Sequence, residues 1–142
     1  MTSTTARPGT SWKSTLAAAG IAAAGGFVVN SVIALAGRGL LDAPAEFMPL
    51  QPQVYGMLTL VGALAGAVGW HLVATRSGDA GRLLRVLVPV VLVLSWIPDV
   101  VLLVTRSQPG TTTAGVLCLM LMHLGVAAAA VPAYRRLIPP RS

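Results

Sequence analysis

Four apolar runs, each about as long as a bilayer is thick, constrain this chain more than any other feature. A hydrocarbon core about 30 Å thick requires roughly 20 apolar residues at about 1.5 Å rise per residue. The runs cover residues 16–35, 54–73, 83–104 and 113–133. The sequence therefore predicts an all-α fold, an integral membrane bundle of four antiparallel transmembrane helices.

The composition supports a membrane protein and excludes an ordinary soluble one. Charged residues make up only 10% of the chain and hydrophobic residues 55%, whereas soluble domains contain about 25% charged residues. Lys and Arg outnumber Asp and Glu by 10 to 4, which in a soluble protein suggests a nucleic-acid partner. Because these basic residues flank the apolar runs, topology explains them better. The expected partner is the lipid bilayer, with no nucleic acid.

One domain is expected between two short tails. Residues 1–14 predict a flexible cytoplasmic tail, residues 15–136 the four-helix transmembrane domain, and residues 137–142 a second cytoplasmic tail. Two connectors are short, about 8 residues each, which favours antiparallel neighbours. The loop 37–53 is longer and contains Pro44, Pro49 and Pro52, so it is the only connector with room for a structured feature such as a short turn.

Basic and aromatic residues predict the orientation in the membrane. Cytoplasmic loops retain Lys and Arg, and only Arg38 and Arg106 fall on the opposite side of the predicted topology. Trp12, Trp70 and Tyr134 lie on the basic side, where amphipathic rings prefer the membrane interface. Both termini are therefore expected in the cytoplasm. The basic side contains Arg7, Lys13, Arg76, Arg82, Arg85, Arg135, Arg136 and Arg141.

The first apolar run has an alternative explanation, a cleaved signal peptide. It follows basic residues and ends in Ala34-Leu35-Ala36, a small-residue pattern typical of a cleavage site. The apolar region of a signal peptide is only about 7–15 residues long. Because this run is longer, we expect a retained membrane span.

Small residues indicate where the helices pack. Transmembrane helices associate through close backbone approach and interhelical hydrogen bonds. The second run contains Gly62, Gly66 and Gly69, and the fourth contains alanine at 127–130. These positions predict sealed contacts inside the bundle, with a homodimer face as the alternative. A wide pore is not expected, although the pattern allows a groove between helices.

Asp99 is an acid inside the apolar stretch LVLSWIPDVVL. It lies about 7 Å from the middle of the third predicted helix, towards the outer face. An Asp at mid-bilayer costs roughly 2.5–3.5 kcal/mol, so its side chain should face protein or water. Pro98 cannot donate a backbone hydrogen bond and is expected to kink the helix. Ser95 could satisfy part of the freed backbone.

One outward-facing pocket could form from four polar residues predicted at similar depths, Asn30, Ser95, Asp99 and His123. Asp99 and His123 are candidate catalytic residues, and the candidate binding residues are Asn30, Ser95 and Trp96. In one interpretation, hydrogen bonds among Asn30, Asp99 and His123 fix the helix register. In the other, Asp99 and His123 form an acid–base pair or a proton-linked binding site, as intramembrane ionisable residues often do.

The other histidine and the single cysteine predict no site. His71 lies near the cytoplasmic end of its helix and is expected to reach water by snorkelling. Cys118 is expected to be a small core residue, and it has no second cysteine for an intramolecular disulfide. Their spacing does not match zinc ligands, and no reaction motif is present. The sequence therefore predicts no cofactor and no metal.

Three segments resemble a known family when taken in order. They are FMPLQPQVYGMLTLVGALAGAVGW, GRLLRVLVPVVLVLSW and LMLMHLGVAAAAVPAYRRL. Together they resemble a family of small actinobacterial four-helix membrane proteins of unknown function, over most of the chain after the first tail. The resemblance implies a four-helix architecture in a bacterial plasma membrane. It supplies no catalytic residue.

Two function hypotheses follow from these features. The first is a non-enzymatic accessory or interaction protein with a membrane-protein partner, because the chain is small, has glycines that predict close packing, and lacks a reaction motif. The alternative is a small intramembrane enzyme or proton-linked carrier for a lipophilic compound, using Asp99 and His123. A separation above about 7 Å would make concerted acid–base work implausible. A homo-oligomer with a pathway at its subunit interfaces is a third possibility.

Overall fold

The computed structural model describes residues 10–140, and this part of the chain is helical with no strand. Most of the first predicted tail, with Arg7, and the end of the second, with Arg141, lie outside the described residues. Four of the segments are long and apolar enough to cross a membrane, which confirms the predicted all-α fold with four membrane-length helices. The helices are α1 Trp12–Leu40, α2 Pro52–Arg76, α3 Ala80–Ser95, α4 Ile97–Thr105 and α5 Thr113–Leu137, where α3 and α4 form one span.

Capping residues, rather than hydropathy, determine where several helices begin. Ser11 accepts a hydrogen bond from the Ser14 backbone N–H at 3.2 Å, so α1 begins before its apolar run. Asp79 accepts from the Arg82 backbone N–H at 3.0 Å and starts α3 in the same way. Thr112 caps α5. Such caps satisfy backbone donors that have no partner within the helix.

α1 packs most extensively against α5. A methyl group added at Gly125 would lie 2.6 Å from Val29 Cγ1, and one added at Gly37 would lie 2.7 Å from Cys118 Sγ. Neither position can hold a larger side chain without movement. Val29 contacts Gly125, whereas Gly37, further along α1, contacts Cys118, which is earlier in α5. The two helices therefore run in opposite directions.

The glycines of α2 do not all seal contacts. Nothing lies within 4 Å of a methyl group added at Gly62 or Gly69, whereas at Gly66 the nearest atom is Tyr134 Oη at 3.1 Å. The prediction of close packing inside the bundle is therefore wrong for Gly62 and Gly69, and the homodimer alternative stays a prediction. Both line a cavity instead. The cavity is present because α3 has few contacts with the other helices. Only 6% of the most apolar stretch of the α3–α4 span is buried.

The loop 41–51, called here the capping loop, covers one end of the bundle. It contains the short 3₁₀ turn Met48–Leu50, in agreement with the feature predicted for the longest connector. Phe47 and Leu50 are fully buried, and a methyl group added at Gly115 would lie 2.9 Å from the Phe47 ring. Arg38 donates to the Leu50 carbonyl at 2.8 Å. The capping loop is thus packed into the ends of α1 and α5.

Two of the three aromatic residues predicted at the interface are buried. Trp70 donates from Nε1 to the Ile138 carbonyl at 2.9 Å, and the Tyr134 hydroxyl donates to the Ala63 carbonyl at 2.6 Å. Only Trp12 is exposed, at 55%. Both rings therefore pack against protein, and their position at the membrane interface stays a prediction. These two hydrogen bonds join α2 to α5 and to Ile138, the residue after α5.

His71 is buried as well, so the expectation that it reaches water is wrong. Its Nδ1 lies 2.8 Å from Thr15 Oγ1, and its ring stacks on Trp12 with centroids 4.2 Å apart. This contact joins the start of α1 to the end of α2. A buried ring nitrogen is tolerated here because the threonine hydroxyl satisfies it.

Candidate functional site

The third span is broken at Trp96, one residue after α3 ends and one before α4 begins. The Trp96 N–H bonds to the Val93 carbonyl at 3.2 Å, one residue short of the α-helical partner. The carbonyl of Leu92 is thereby freed, and Ser95 Oγ donates to it at 2.6 Å. Pro98 occupies the first turn of α4, where its missing N–H is tolerated. The predicted disruption at Pro98 is confirmed, and Ser95 satisfies the backbone as expected.

Asp99 lies in the first turn of α4 and is buried. The partial positive charge of a helix N-terminus favours an acid in this position. Asp99 Oδ2 lies 3.2 Å from His123 Nδ1 of α5, yet it makes no hydrogen bond to any residue that the structure describes. The contact has the distance of an ion pair without the alignment of a hydrogen bond. The structure therefore brings the two candidate catalytic residues together.

The hydrogen bond of His123 fixes which ring nitrogen is available. Nδ1 lies 2.9 Å from the Leu119 carbonyl, and since a carbonyl can only accept, this contact places the proton on Nδ1. In the neutral ring Nε2 is then an acceptor, and it bonds to none of residues 10–140. The His123 side chain is 37% exposed and that of Asp99 only 9%. The imidazole is thus the accessible member of the pair, with the carboxyl behind it.

A cavity of about 660 Å³ lies between α2, α3 and α5, and His123 is part of its wall. This volume is within the usual range of ligand pockets, about 300–1,000 Å³. Its polar side chains are few. They are Asn30, Tyr55, Thr59, Ser95, His123 and Tyr134, and the apolar wall includes Gly62, Ala65, Gly66 and Gly69 of α2, Leu87, Val88, Val91 and Leu92 of α3, and Met122, Val126, Ala127, Ala130 and Val131 of α5.

Asn30 also faces the cavity, but it bonds to a residue that the sequence analysis did not single out. Its Nδ2 donates to Thr59 Oγ1 of α2 at 2.9 Å, and its buried Oδ1 has no partner within the described residues. No hydrogen bond joins Asn30 to Asp99 or His123 among residues 10–140. The predicted pocket therefore consists of two polar pairs on one cavity. Thr59 could have been found from its spacing, because it lies four residues before Ala63 on the buried face of α2.

The other two candidate binding residues differ in position. Ser95 lines the cavity, although its hydroxyl proton is used by a backbone carbonyl. Trp96 donates from Nε1 to the Met120 carbonyl at 3.1 Å and does not line the cavity. Trp96 therefore joins the broken span to α5, whereas Ser95 remains available for contact with a ligand.

The Asp99–His123 geometry suits hydrogen bonding or proton exchange with a molecule in the cavity. The 3.2 Å separation is well below the distance that would exclude concerted acid–base work. The pair has only two side chains that could ligate a metal. Residues 10–140 contain no cluster of three or more His, Cys, Asp or Glu side chains that could hold one. The arrangement identifies a polar site at an apolar cavity, without specifying a reaction.

Replacing Thr59 by valine should lower the free energy of unfolding by about 0.6 kcal/mol, the average measured for hydrogen bonds between membrane helices, and by no more than about 1.7 kcal/mol. Valine keeps the shape of threonine but leaves Asn30 Nδ2 without its acceptor. SDS titration of the purified protein in mixed micelles measures the change. Thr105→Val is the matched control, because the Thr105 hydroxyl is exposed. Equal stability of both variants would contradict a role for the Asn30–Thr59 bond.

The fold and the site together define a class: a small multi-pass membrane protein with four spans, an apolar cavity and an acid–histidine pair at the cavity wall. The model of a family of unknown function, DUF6069, matches residues 6–139. The chain belongs to that family, and the predicted membership in a family of unknown function is confirmed. Neither the curated proteins nor the solved structures give a match.

Proposed function

We propose that the protein binds a lipophilic molecule in the cavity between α2, α3 and α5, with His123 contacting the polar group of that molecule. The main support is the position of His123 on the wall of a largely apolar cavity of about 660 Å³, with Asp99 behind it. Ligand sites commonly combine an apolar wall with a few placed polar groups. The proposal is therefore a binding or carrier function at the predicted Asp99–His123 pocket.

A purely structural role explains the pair less well. An intramembrane acid is costly, and fixing helix register would require aligned hydrogen bonds, yet Asp99 Oδ2 makes none with the described residues. The accessory-protein hypothesis relied on glycines that seal contacts, and Gly62 and Gly69 border open space instead. These observations favour the alternative hypothesis, a site for a lipophilic compound.

The sparse packing of α3 supports entry of the ligand from the bilayer. Only 6% of the apolar window of the third span is buried, and the side of α3 that faces the cavity is apolar, with Leu87, Val88 and Val91. An apolar molecule moving sideways past α3 would lose no favourable hydration. The proposed route therefore runs through lipid rather than through water.

The proposed location is the plasma membrane of a bacterium, specifically an actinobacterium, with both termini in the cytoplasm. The Trp12–His71 and Trp70–Ile138 contacts place the start of α1 and the ends of α2 and α5 at one end of the bundle. Most basic residues fall there, which favours the cytoplasm. The bacterial source rests on the sequence resemblance. The basic residues at that end are Lys13, Arg76, Arg82, Arg85, Arg135 and Arg136.

Native mass spectrometry of the protein, gently extracted from its own membrane, tests the proposal. We expect a retained small-molecule mass on the wild-type chain and its loss from Gly62→Phe, because the new ring would project into the cavity and obstruct it. Leu60→Phe is the matched control: Leu60 is exposed on α2 and does not line the cavity, so this variant should retain the mass.

Two results would contradict the proposal. If Gly62→Phe retains the same mass as the wild type, the molecule binds elsewhere. If a stoichiometric protein partner is retained in place of a small molecule, the accessory function is favoured instead. The same spectra give the number of subunits, which tests the homo-oligomer hypothesis.

A further inference from the structure

We infer that the polar group of the bound molecule is a hydroxyl, so that the ligand is a lipophilic alcohol rather than an anionic lipid or an ether. This inference rests on the proposed function, since it concerns the same cavity. Asn30, Asp99 and His123 present hydrogen-bond acceptors that have no partner among the described residues. Most hydroxyl protons around the cavity are already donated to other groups.

Asn30 presents the first unpaired acceptor. It is 2% exposed and lines the cavity, and its Nδ2 is used by Thr59. Its Oδ1 is buried without a partner among residues 10–140. A buried acceptor without a hydrogen bond bears the full cost of its desolvation. A donor on a ligand in the cavity would remove that cost.

In its neutral form the His123 ring of the Asp99–His123 pair presents a second acceptor. Nδ1 of His123 donates to the Leu119 carbonyl, so Nε2 of the neutral ring accepts. Asp99 Oδ2, 3.2 Å from that ring, is a second buried oxygen without a hydrogen bond. A phosphate or carboxylate head would bring negative charge to Asp99 and more acceptors to a site that already has them in excess.

The hydroxyl groups around the cavity supply few donors to a ligand. Ser95 donates to the Leu92 carbonyl, and Tyr134 donates to the Ala63 carbonyl. Tyr55 pairs with Ser31 across 3.0 Å, and Ser31 itself bonds to a backbone carbonyl, so the Tyr55 proton is also used. The Thr59 hydroxyl accepts from Asn30 and retains its own proton.

A ligand hydroxyl matches this set of groups. It can donate to Asn30 Oδ1 or to His123 Nε2, and its oxygen can accept the remaining proton of Thr59. An ether or ester of the same length can only accept. A hydroxyl is therefore the smallest uncharged group that satisfies both kinds of partner at this end of the cavity.

Binding of two matched probes to the full chain tests the inference. The probes are n-hexadecanol and 1-methoxyhexadecane, which share the alkyl chain and differ in the hydroxyl proton; hexadecyl phosphate is the anionic comparison. Each is titrated into the purified protein in nanodiscs, and native mass spectrometry gives the dissociation constants. We expect the alcohol to bind at least tenfold more tightly than the ether or the phosphate.

Three variants locate the preference. Gly62→Phe should abolish binding of n-hexadecanol, whereas Leu60→Phe should leave it unchanged. His123→Phe should reduce the alcohol-to-ether preference at least threefold while ether binding stays within twofold of the wild type. The probe comparison on the wild-type protein requires no substitution, so the inference stays testable if His123→Phe fails to fold.

The outcomes separate this inference from the proposed function. Equal binding of alcohol and ether, abolished by Gly62→Phe, would overturn the hydroxyl assignment and leave the cavity as a lipophilic site. Tighter binding of the phosphate would overturn it in favour of an anionic head. If no probe binds the wild type, or if Gly62→Phe binds all three as well as the wild type, the proposed function fails along with the inference.

Discussion

Replacing Phe47 by alanine should lower the free energy of unfolding by about 3–5 kcal/mol, the usual cost of removing a buried aromatic ring. Phe47 is fully buried although it lies in a connecting loop. Its ring packs against Gly115 of α5 and belongs to the same cluster as Leu50 and Val116. Truncation would leave a cavity where the capping loop meets the bundle. SDS titration in mixed micelles measures the loss.

Phe27→Ala is the matched control for this prediction. Phe27 on α1 is 41% exposed, so its truncation removes fewer contacts within the protein. We expect this variant to lose less than half as much stability as Phe47→Ala. If both variants are equally stable, the capping loop does not contribute to holding the bundle together.

Replacing Gly125 by valine should lower the free energy of unfolding by about 1–3 kcal/mol, the typical cost of overpacking. A methyl group at this position would lie 2.6 Å from Val29 Cγ1, so α1 and α5 would have to separate. Because Val29 adjoins Asn30, the separation should also disturb the polar end of the cavity. The expected result is reduced stability together with weaker retention of the bound molecule.

Gly20→Val separates the steric effect from the loss of a helical glycine. Gly20 is exposed on α1, and nothing lies within 4 Å of an added methyl group. This variant should match the wild type or be slightly more stable, since valine has a better helix propensity than glycine. Equal losses at Gly20 and Gly125 would contradict close packing between α1 and α5.

The fold was largely predictable because hydropathy alone defines it. Runs of about 20 apolar residues must form helices in a bilayer, where every backbone polar group needs a partner. The break near Pro98 was also predictable, since proline removes a donor at a known position. The packing of α2 was not. Gly62 and Gly69 belong to the same glycine pattern as Gly66, which does contact Tyr134. The position of α3 decides whether a side chain reaches Gly62 and Gly69.

The candidate site was predictable in part. The positions of Asp99 and His123 along their helices predicted similar depths in the membrane. The two side chains meet because α5 is also rotated so that His123 faces α4. The separate Asn30–Thr59 pair did not follow, because rotation about the helix axis decides which side chains meet. The burial of Trp70, Tyr134 and His71 was not predicted for a related reason. An aromatic residue at a helix end can face lipid or a neighbouring helix, and composition does not distinguish the two.

The close fit between α1 and α5 has a consequence for biosynthesis. α1 ends at Leu40 and α5 begins at Thr113, so the ribosome completes the first span well before its main packing partner. At synthesis rates of about 5–20 residues per second, the delay is on the order of 4–15 s. During that time the part of α1 that packs against α5, which includes Val29 and Gly37, lacks its native partner and faces lipid or a membrane chaperone. A chain truncated before α5 should therefore be a substrate for membrane proteases rather than a partly working protein.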